Sequence, residues 1–300
     1  MNVHKWMNGF LAAMILLAAT PGMGAYTPVQ PFLGMWALTL DYENNNAGWL
    51  EVRHEEGYLD AELLWRWGSV YPVDFTFVNN GKLILNHRNE VVMERDEEGN
   101  PLRTIHPYYW FEITESGNDR IEGVHYRPRQ DGLQLETVSF SGVRIPPYGD
   151  PPDLQRVKYK DPVKLFNGKD LEGWTLLHLN SVSGWKAVDG VLVNDPVQPA
   201  DGSHIPYGNL RTGATFEDFK LTLEVNVPEG SNSGVYLRGI YEVQVMDSYG
   251  REPDSHHMGA LYSRITPSEP AEKPAGEWQK MEMILYKRHL TVVLNGKRII

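Results

Sequence analysis

Past residue 30, apolar and polar residues alternate in short runs, and each run closes on Gly, Asn, Asp or Pro. Side chains of a strand point alternately to its two faces, so a period of two marks strands with one buried face. Runs of this kind, with no long stretch of helical period, predict an all-β chain built from sandwiches or barrels. In the N-terminal part the runs fall at 36–41, 48–53, 58–64, 70–78, 82–86, 109–114, 120–126 and 133–140. Turns as short as Asn79-Asn80-Gly81 join them, which suits an antiparallel β-barrel or a meandering β-sandwich. His54, Glu55 and Glu56 lie beside a glycine turn and read as a solvated loop rather than a metal site.

The alternation is clearest at 219–227. Phe219, Leu221, Leu223, Val225 and Val227 share one face, and Lys220, Thr222, Glu224 and Asn226 share the other. Two further strands, 234–238 and 241–245, flank Gly239-Ile240, and a two-residue connection opening with Gly predicts a tight hairpin. By parity Val235, Leu237, Val243 and Val245 face a core. Tyr236, Arg238, Glu242 and Gln244 face the other way, and they offer a ring, a guanidinium, a carboxylate and an amide. Those groups stack on and hydrogen-bond sugars, whereas a merely solvated face more often shows Lys, Thr, Ser and Glu. Asn232 opens the preceding turn, Asp247 closes the second strand, and His256 and His257 follow on a loop. Asn232 reads as turn chemistry, Asp247 equally as a turn cap or as a group that holds a cation or orients a histidine, and the adjacent histidines more often as plain surface, with a metal or general-base role as the functional alternative.

Between the two halves, Arg144-Ile145-Pro146-Pro147-Tyr148-Gly149-Asp150-Pro151-Pro152-Asp153 is rich in proline, which removes ladder donors and stiffens the chain. The expected organisation is a signal peptide over 1–25, an N-terminal β domain over 26–154, a linker over 155–162 and a C-terminal β-sandwich over 163–300. The leader follows from Lys5, the apolar run from Phe10 to Ala19, and the breaker and small residues Pro21 to Ala25. It predicts export to the periplasm or beyond, with no membrane span once it is cleaved. The 300 residues carry a net charge of -11, which repels phosphate backbones and argues against a nucleic-acid partner. With Cys 0, disulfides and thiolate zinc sites are excluded.

Two resemblances add to this reading. Gly34-Met35-Trp36 resembles the Gly-x-Trp opening of lipocalin-like barrels. Over about 163–300 the chain resembles the 3-keto-disaccharide hydrolase family. The matching features include Leu165 to Trp174, Trp185 with Val188 to Leu192, Asn232 to Arg238, Tyr241 to Asp247, Gly259 to Tyr262 and Gly276-Glu277-Trp278. That resemblance implies a concanavalin-like jelly-roll sandwich and action on glycosides whose C3 hydroxyl is oxidised to a ketone.

Such a ketone acidifies C2–H, so a base forms an enolate, the C1 oxygen leaves, and water addition completes a net hydrolysis. On this reading Glu242 is the base, Arg238 the oxyanion partner, Tyr236 a stacking or acid group and Gln244 a positioning group. Asp247 and His256 or His257 are the fallback base or cation site, with Asn232 and His257 among the substrate contacts. No cofactor is required, though a divalent cation at the ketone would serve as a Lewis acid. The alternatives are a lectin-like module that binds sugar without turning it over, and a surface interaction protein whose N-terminal barrel does the binding. The chain stops four residues after the Asn295-Gly296 turn, where family members continue with further strands, so the expectation is either a fragment of a longer chain or a sandwich short of closing strands.

Overall fold

The computed structural model describes residues 29–43, 46–66, 68–71 and 73–300. The leader expected over 1–25 lies outside the described residues. Among the described residues no helix is long and apolar enough to cross a membrane. Among the described residues regular structure is strand, apart from two 3-10 turns at Gln30–Phe32 and Leu154–Arg156.

The N-terminal strands are β1 (Gly34–Leu40), β2 (Ala47–Glu55), β3 (Tyr58–Leu64), β4 (Phe75–Asn79), β5 (Lys82–Arg88), β6 (Val91–Arg95), β7 (Pro101–Ile105), β8 (Tyr108–Gly117), β9 (Arg120–Pro128) and β10 (Leu135–Ile145). Eight of them close a barrel in the order β1-β10-β9-β8-β5-β4-β3-β2, while β6 and β7 form a separate two-stranded ribbon. Of the two alternatives the short turns left open, a barrel or a meandering sandwich, the chain forms the barrel. Its alternation is literal: along β1, Trp36, Leu38 and Leu40 are buried and Ala37 and Thr39 are exposed. The interior is filled by Trp36, Leu50, Leu63, Leu83, Leu85, Phe111 and Ile113.

The Gly-x-Trp opening has a concrete role. Trp36 donates its indole N–H to the Phe32 carbonyl at the 3-10 turn, 2.9 Å away. Arg144 lies over the Trp36 ring at 4.1 Å and donates to the carbonyls of Leu33 and Pro31. One cation thus fastens the start of the barrel to its last strand.

The C-terminal strands are β11 (Trp174–Leu176), β12 (Trp185–Val188), β13 (Val191–Asn194), β14 (Leu210–Thr212), β15 (Phe219–Asn226), β16 (Asn232–Leu237), β17 (Tyr241–Met246), β18 (Trp278–Tyr286), β19 (His289–Leu294) and β20 (Lys297–Arg298). A four-stranded antiparallel sheet runs β15-β18-β19-β20, and β16 pairs with β17 as a hairpin. The hairpin's Leu237, Val243 and Val245 share one core with Met281, Met283, Leu285, Val292 and Leu294 of the sheet. This is sandwich packing, and parity assigned the hairpin's buried face correctly. The hairpin tip differs from expectation. Leu237 pairs with Tyr241, so the connection is the three residues 238–240, not Gly239-Ile240 alone. Arg238 therefore leaves the strand and takes φ +49° in the turn.

Contacts divide the chain into two compact units. The first includes Leu50–Glu62 and Pro72–Arg144, and the second includes Ile145–Ile300 with Tyr42–Trp49 and Leu63–Tyr71.

Candidate active site on the β16–β17 hairpin

Antiparallel register sets Tyr236 directly opposite Glu242. Both point away from the core that holds Leu237 and Val243, because neighbours along a strand alternate faces. The Tyr236 hydroxyl donates to the Glu242 carboxylate. Glu242 then leans along the strand across Gly234. A Cβ at Gly234 would stand 1.9 Å from the Glu242 Oε1. Glycine in the Asn232-Ser233-Gly234 turn is thus the bed on which the carboxylate lies, a closer purpose than turn chemistry.

Burial shapes the electrostatics of this pair. Desolvation raises the Glu242 pKa above the ordinary carboxylate value, and the hydrogen bond from Tyr236 opposes part of that rise. The Tyr236 phenol is pushed above its usual range, first by burial and then by the hydrogen bond and charge of Glu242. The result is a carboxylate made more basic by its surroundings beside a phenol that keeps its proton.

The loop 256–262 supplies the rest of the site by lying along β17 like a short extra strand. Gln244 N–H donates to the Ala260 carbonyl at 3.0 Å, Gly259 N–H to the Gln244 carbonyl at 2.9 Å, and Tyr262 N–H to the Glu242 carbonyl at 2.8 Å. Gly259 permits the approach, with φ +81° and the Ile299 Cδ1 only 2.4 Å from where a Cβ would be. This laddering sets Tyr262 beside Glu242. It also sets the His256 ring against Tyr262, edge to face, with centroids 4.8 Å apart. Tyr262 is a member that parity missed. It lies outside the hairpin, and its only signal in the chain was the Gly259-Ala260-Leu261-Tyr262 motif.

The other expected residues stand elsewhere. Arg238 donates from Nε to the Glu217 carbonyl at 3.0 Å, from Nη1 to the Lys287 carbonyl at 2.7 Å, and from Nη2 to Asp218 at 3.0 Å. Its guanidinium clamps the hairpin tip to neighbouring turns, which corrects its expected place on an oxyanion. Gln244 is 1 % exposed. The loop 256–262 covers it, and its Nε2 donates to the His256 carbonyl at 3.2 Å. It supports the loop instead of meeting substrate. The adjacent histidines part company: His256 is exposed, while His257 is buried with its Nε2 2.8 Å from Glu272 Oε1. A buried imidazole in that pair is a packing element, not a sugar contact.

Asp247 accepts from the Gly230 N–H at 3.0 Å and so ties the turn before β16. It is five residues from Glu242 on the same chain segment, roughly 16 Å of strand rise. Asn232, paired with Met246, is at that same far end. The fallback pairing of Asp247 with His256 or His257 is not formed: Asp247 holds the Gly230 N–H, His257 meets Glu272 and the His256 ring meets Tyr262. Among the described residues no group of three or more His, Asp or Glu side chains gathers to hold a metal ion. The groups around Glu242 are the Tyr236 phenol, a second phenol and one imidazole, which do not suit a divalent cation.

A half-buried carboxylate and phenol on the outward face of a β-sandwich hairpin, edged by a second phenol and an imidazole, make a candidate acid–base pair on one sheet face of a sandwich domain. Residues 161–300 match the family model described as a 3-keto-alpha-glucoside-1,2-lyase-like domain. A curated 3-keto-disaccharide hydrolase from Bacteroides thetaiotaomicron is 27% identical over 153 residues, covering 42% of this chain and 52% of the relative. The chain thus spans about half the length of that relative. Two solved structures of a candidate glycosyl hydrolase from Parabacteroides distasonis are also similar. One is 24% identical with TM-score 0.38, covering 45% of this chain and 70% of the other. The second is 25% identical with TM-score 0.36, covering 52% and 80%.

Proposed function

We propose that the C-terminal domain is a carbohydrate-active enzyme that cleaves 3-keto-glycosides by removing the C2 proton. The observation that carries this reading is the Tyr236–Glu242 pair, in which burial raises the carboxyl pKa while a phenol holds its proton beside it. The family match over 161–300 is what favours a 3-keto sugar as the substrate class. Removing a proton next to a ketone needs a base of raised pKa and a donor for the developing enolate oxygen.

Glu242 takes the C2 proton, and the C2–H electron pair becomes the C2–C3 double bond as the ketone oxygen gains charge. Tyr236 or Tyr262 donates a hydrogen bond to that oxygen. The enolate then re-forms the ketone and expels the C1 oxygen with its aglycone, which takes up a proton as it leaves. This leaves a C1–C2 double bond. Water adds at C1, C2 is protonated again, and the net change is hydrolysis. Two carboxylates flanking the anomeric carbon, as direct hydrolysis uses, are not needed.

The test is aglycone release from a 3-keto-glucoside. Wild-type protein releases it, and Glu242→Gln lowers kcat roughly a hundredfold to ten-thousandfold while leaving the circular dichroism spectrum unchanged. Unchanged turnover in Glu242→Gln removes Glu242 from the base role. Sugar binding by the wild type without any turnover would replace the enzyme with a lectin-like module.

A further inference from the structure

The outer face of the barrel carries aromatic side chains that the hairpin chemistry does not use. Register places Phe75 of β4 opposite Asn86 of β5, Asn86 opposite Trp110 of β8, and Trp110 opposite Tyr126 of β9. Two residues along, on the same face, Arg88 of β5 stands opposite Tyr108 of β8. Strand parity puts this whole set on the outside, because Thr76, Leu85, Tyr109, Phe111 and His125 between them are buried. An antiparallel sheet face turned to water normally carries polar side chains. Here Phe75 is 62% and Tyr108 56% exposed. The Trp110 and Tyr126 rings stack in parallel, 4.9 Å apart at 8°.

Between the rings lies an open cleft of about 410 Å³, lined by Asp74, Phe75, Asn86, Arg88 and Tyr108. Asp74 is fixed there, since its carboxylate accepts the Arg88 backbone N–H at 2.6 Å. The cleft therefore combines two exposed ring faces with a carboxylate, an amide and a guanidinium.

We propose that this cleft binds a glycan chain, independently of the Glu242 face. A pyranose has an apolar C–H face and an edge of hydroxyls, and the cleft answers both. Phe75 and Tyr108 take the faces, while Asn86, Arg88 and Asp74 take the hydroxyls as donors and acceptor. Neighbouring strands lie 4.7–4.9 Å apart, so the row from Phe75 to Tyr126 crosses roughly 14 Å. That length suits several linked sugars rather than one. The net charge of -11 disfavours a nucleic acid, for which stacked rings would otherwise also serve. The polar groups between the rings disfavour a lipid surface, which would find a carboxylate and an amide where it needs apolar area.

The test is native electrophoresis of the full chain through gels containing soluble β-glucan, xylan, mannan or polygalacturonate. The proposal predicts retardation by at least one polysaccharide. It also predicts that the double variant Phe75→Ala/Tyr108→Ala, with an unchanged unfolding midpoint, binds that polysaccharide about tenfold more weakly. Arg88→Ala weakens it as well, and Glu242→Gln does not. No retardation of the wild type in any of the gels would overturn the proposal. So would retardation that survives the double variant and Arg88→Ala but is lost in Glu242→Gln, which would place all sugar binding on the C-terminal domain. Because turnover of a soluble 3-keto-glucoside does not enter this readout, the two sites fail or succeed separately.

Discussion

Glu242 is an ordinary residue in an alternating strand until its neighbours are placed around it. Parity set Tyr236 and Glu242 on one face from the chain alone. The register that makes them direct partners, and the bare backbone of Gly234 beneath the carboxylate, needed the folded hairpin. Gly234→Ala is expected to push the carboxylate off its bed, lowering kcat/KM by roughly tenfold to a hundredfold, with folding retained as judged by circular dichroism. The Tyr236 hydrogen bond favours ionised Glu242 and so holds its raised pKa partly down. A base must be deprotonated, so activity rises with pH through the Glu242 pKa. Removing the phenol hydroxyl with Tyr236→Phe is therefore expected to move that acid limb to higher pH in a profile of kcat/KM. A limb that stays put or moves down would contradict the assigned contact.

At the scale of elements, the loop 256–262 decides what the hairpin face can do. The alternation that revealed β15 to β17 has no counterpart in this loop, because its backbone bonds to β17 without presenting two distinct faces. That is why Tyr262 escaped notice and why Gln244, polar by parity, lies under cover. A similar cause hid β6 and β7: Met93 is 45% and Leu102 63% exposed, so the ribbon has little buried face to impose a period. The loop's other anchor is the buried His257–Glu272 pair, with the Ser248 hydroxyl donating to Glu272 Oε1 at 3.3 Å and the Ala271 N–H to Oε2 at 3.0 Å. Truncating one partner leaves the other buried without its match, which costs about 3–5 kcal/mol. His257→Ala is expected to lower stability by that order in urea unfolding, and His257→Leu/Glu272→Leu to recover most of the loss. A single variant as stable as wild type would show that the pair does not anchor the loop.

For the molecule as a whole, the chain's all-β character, the barrel alternative and the sandwich core were legible in the period-two pattern. What each barrel histidine experiences was not, because burial depends on closure across many strands. His125 faces the interior, stacked on Phe111 with centroids 4.2 Å apart at 6°. Burial, then the charges of Arg127 and His87, lower its pKa from 6.5 to about 4. The folded barrel thus holds it neutral, while the unfolded chain protonates it near 6.5. Its stabilising contribution is full above pH 6.5 and is lost as pH falls toward 4, roughly 3 kcal/mol in all. Thermal unfolding of the wild type is expected to fall between pH 7 and pH 4, and His125→Phe to flatten that fall. An unaltered pH dependence in the variant would contradict the burial account.

The central claim is that Glu242 removes the C2 proton of a 3-keto sugar. Its most direct measurement is proton NMR of a 3-keto-glucoside incubated with the protein in deuterated water, following the C2–H signal alongside aglycone release. The account predicts that wild-type protein exchanges the C2 proton for deuterium as the bond is cleaved, and that Glu242→Gln loses both together. Cleavage by the wild type that leaves the C2 proton in place, or exchange that persists undiminished in Glu242→Gln, would contradict it.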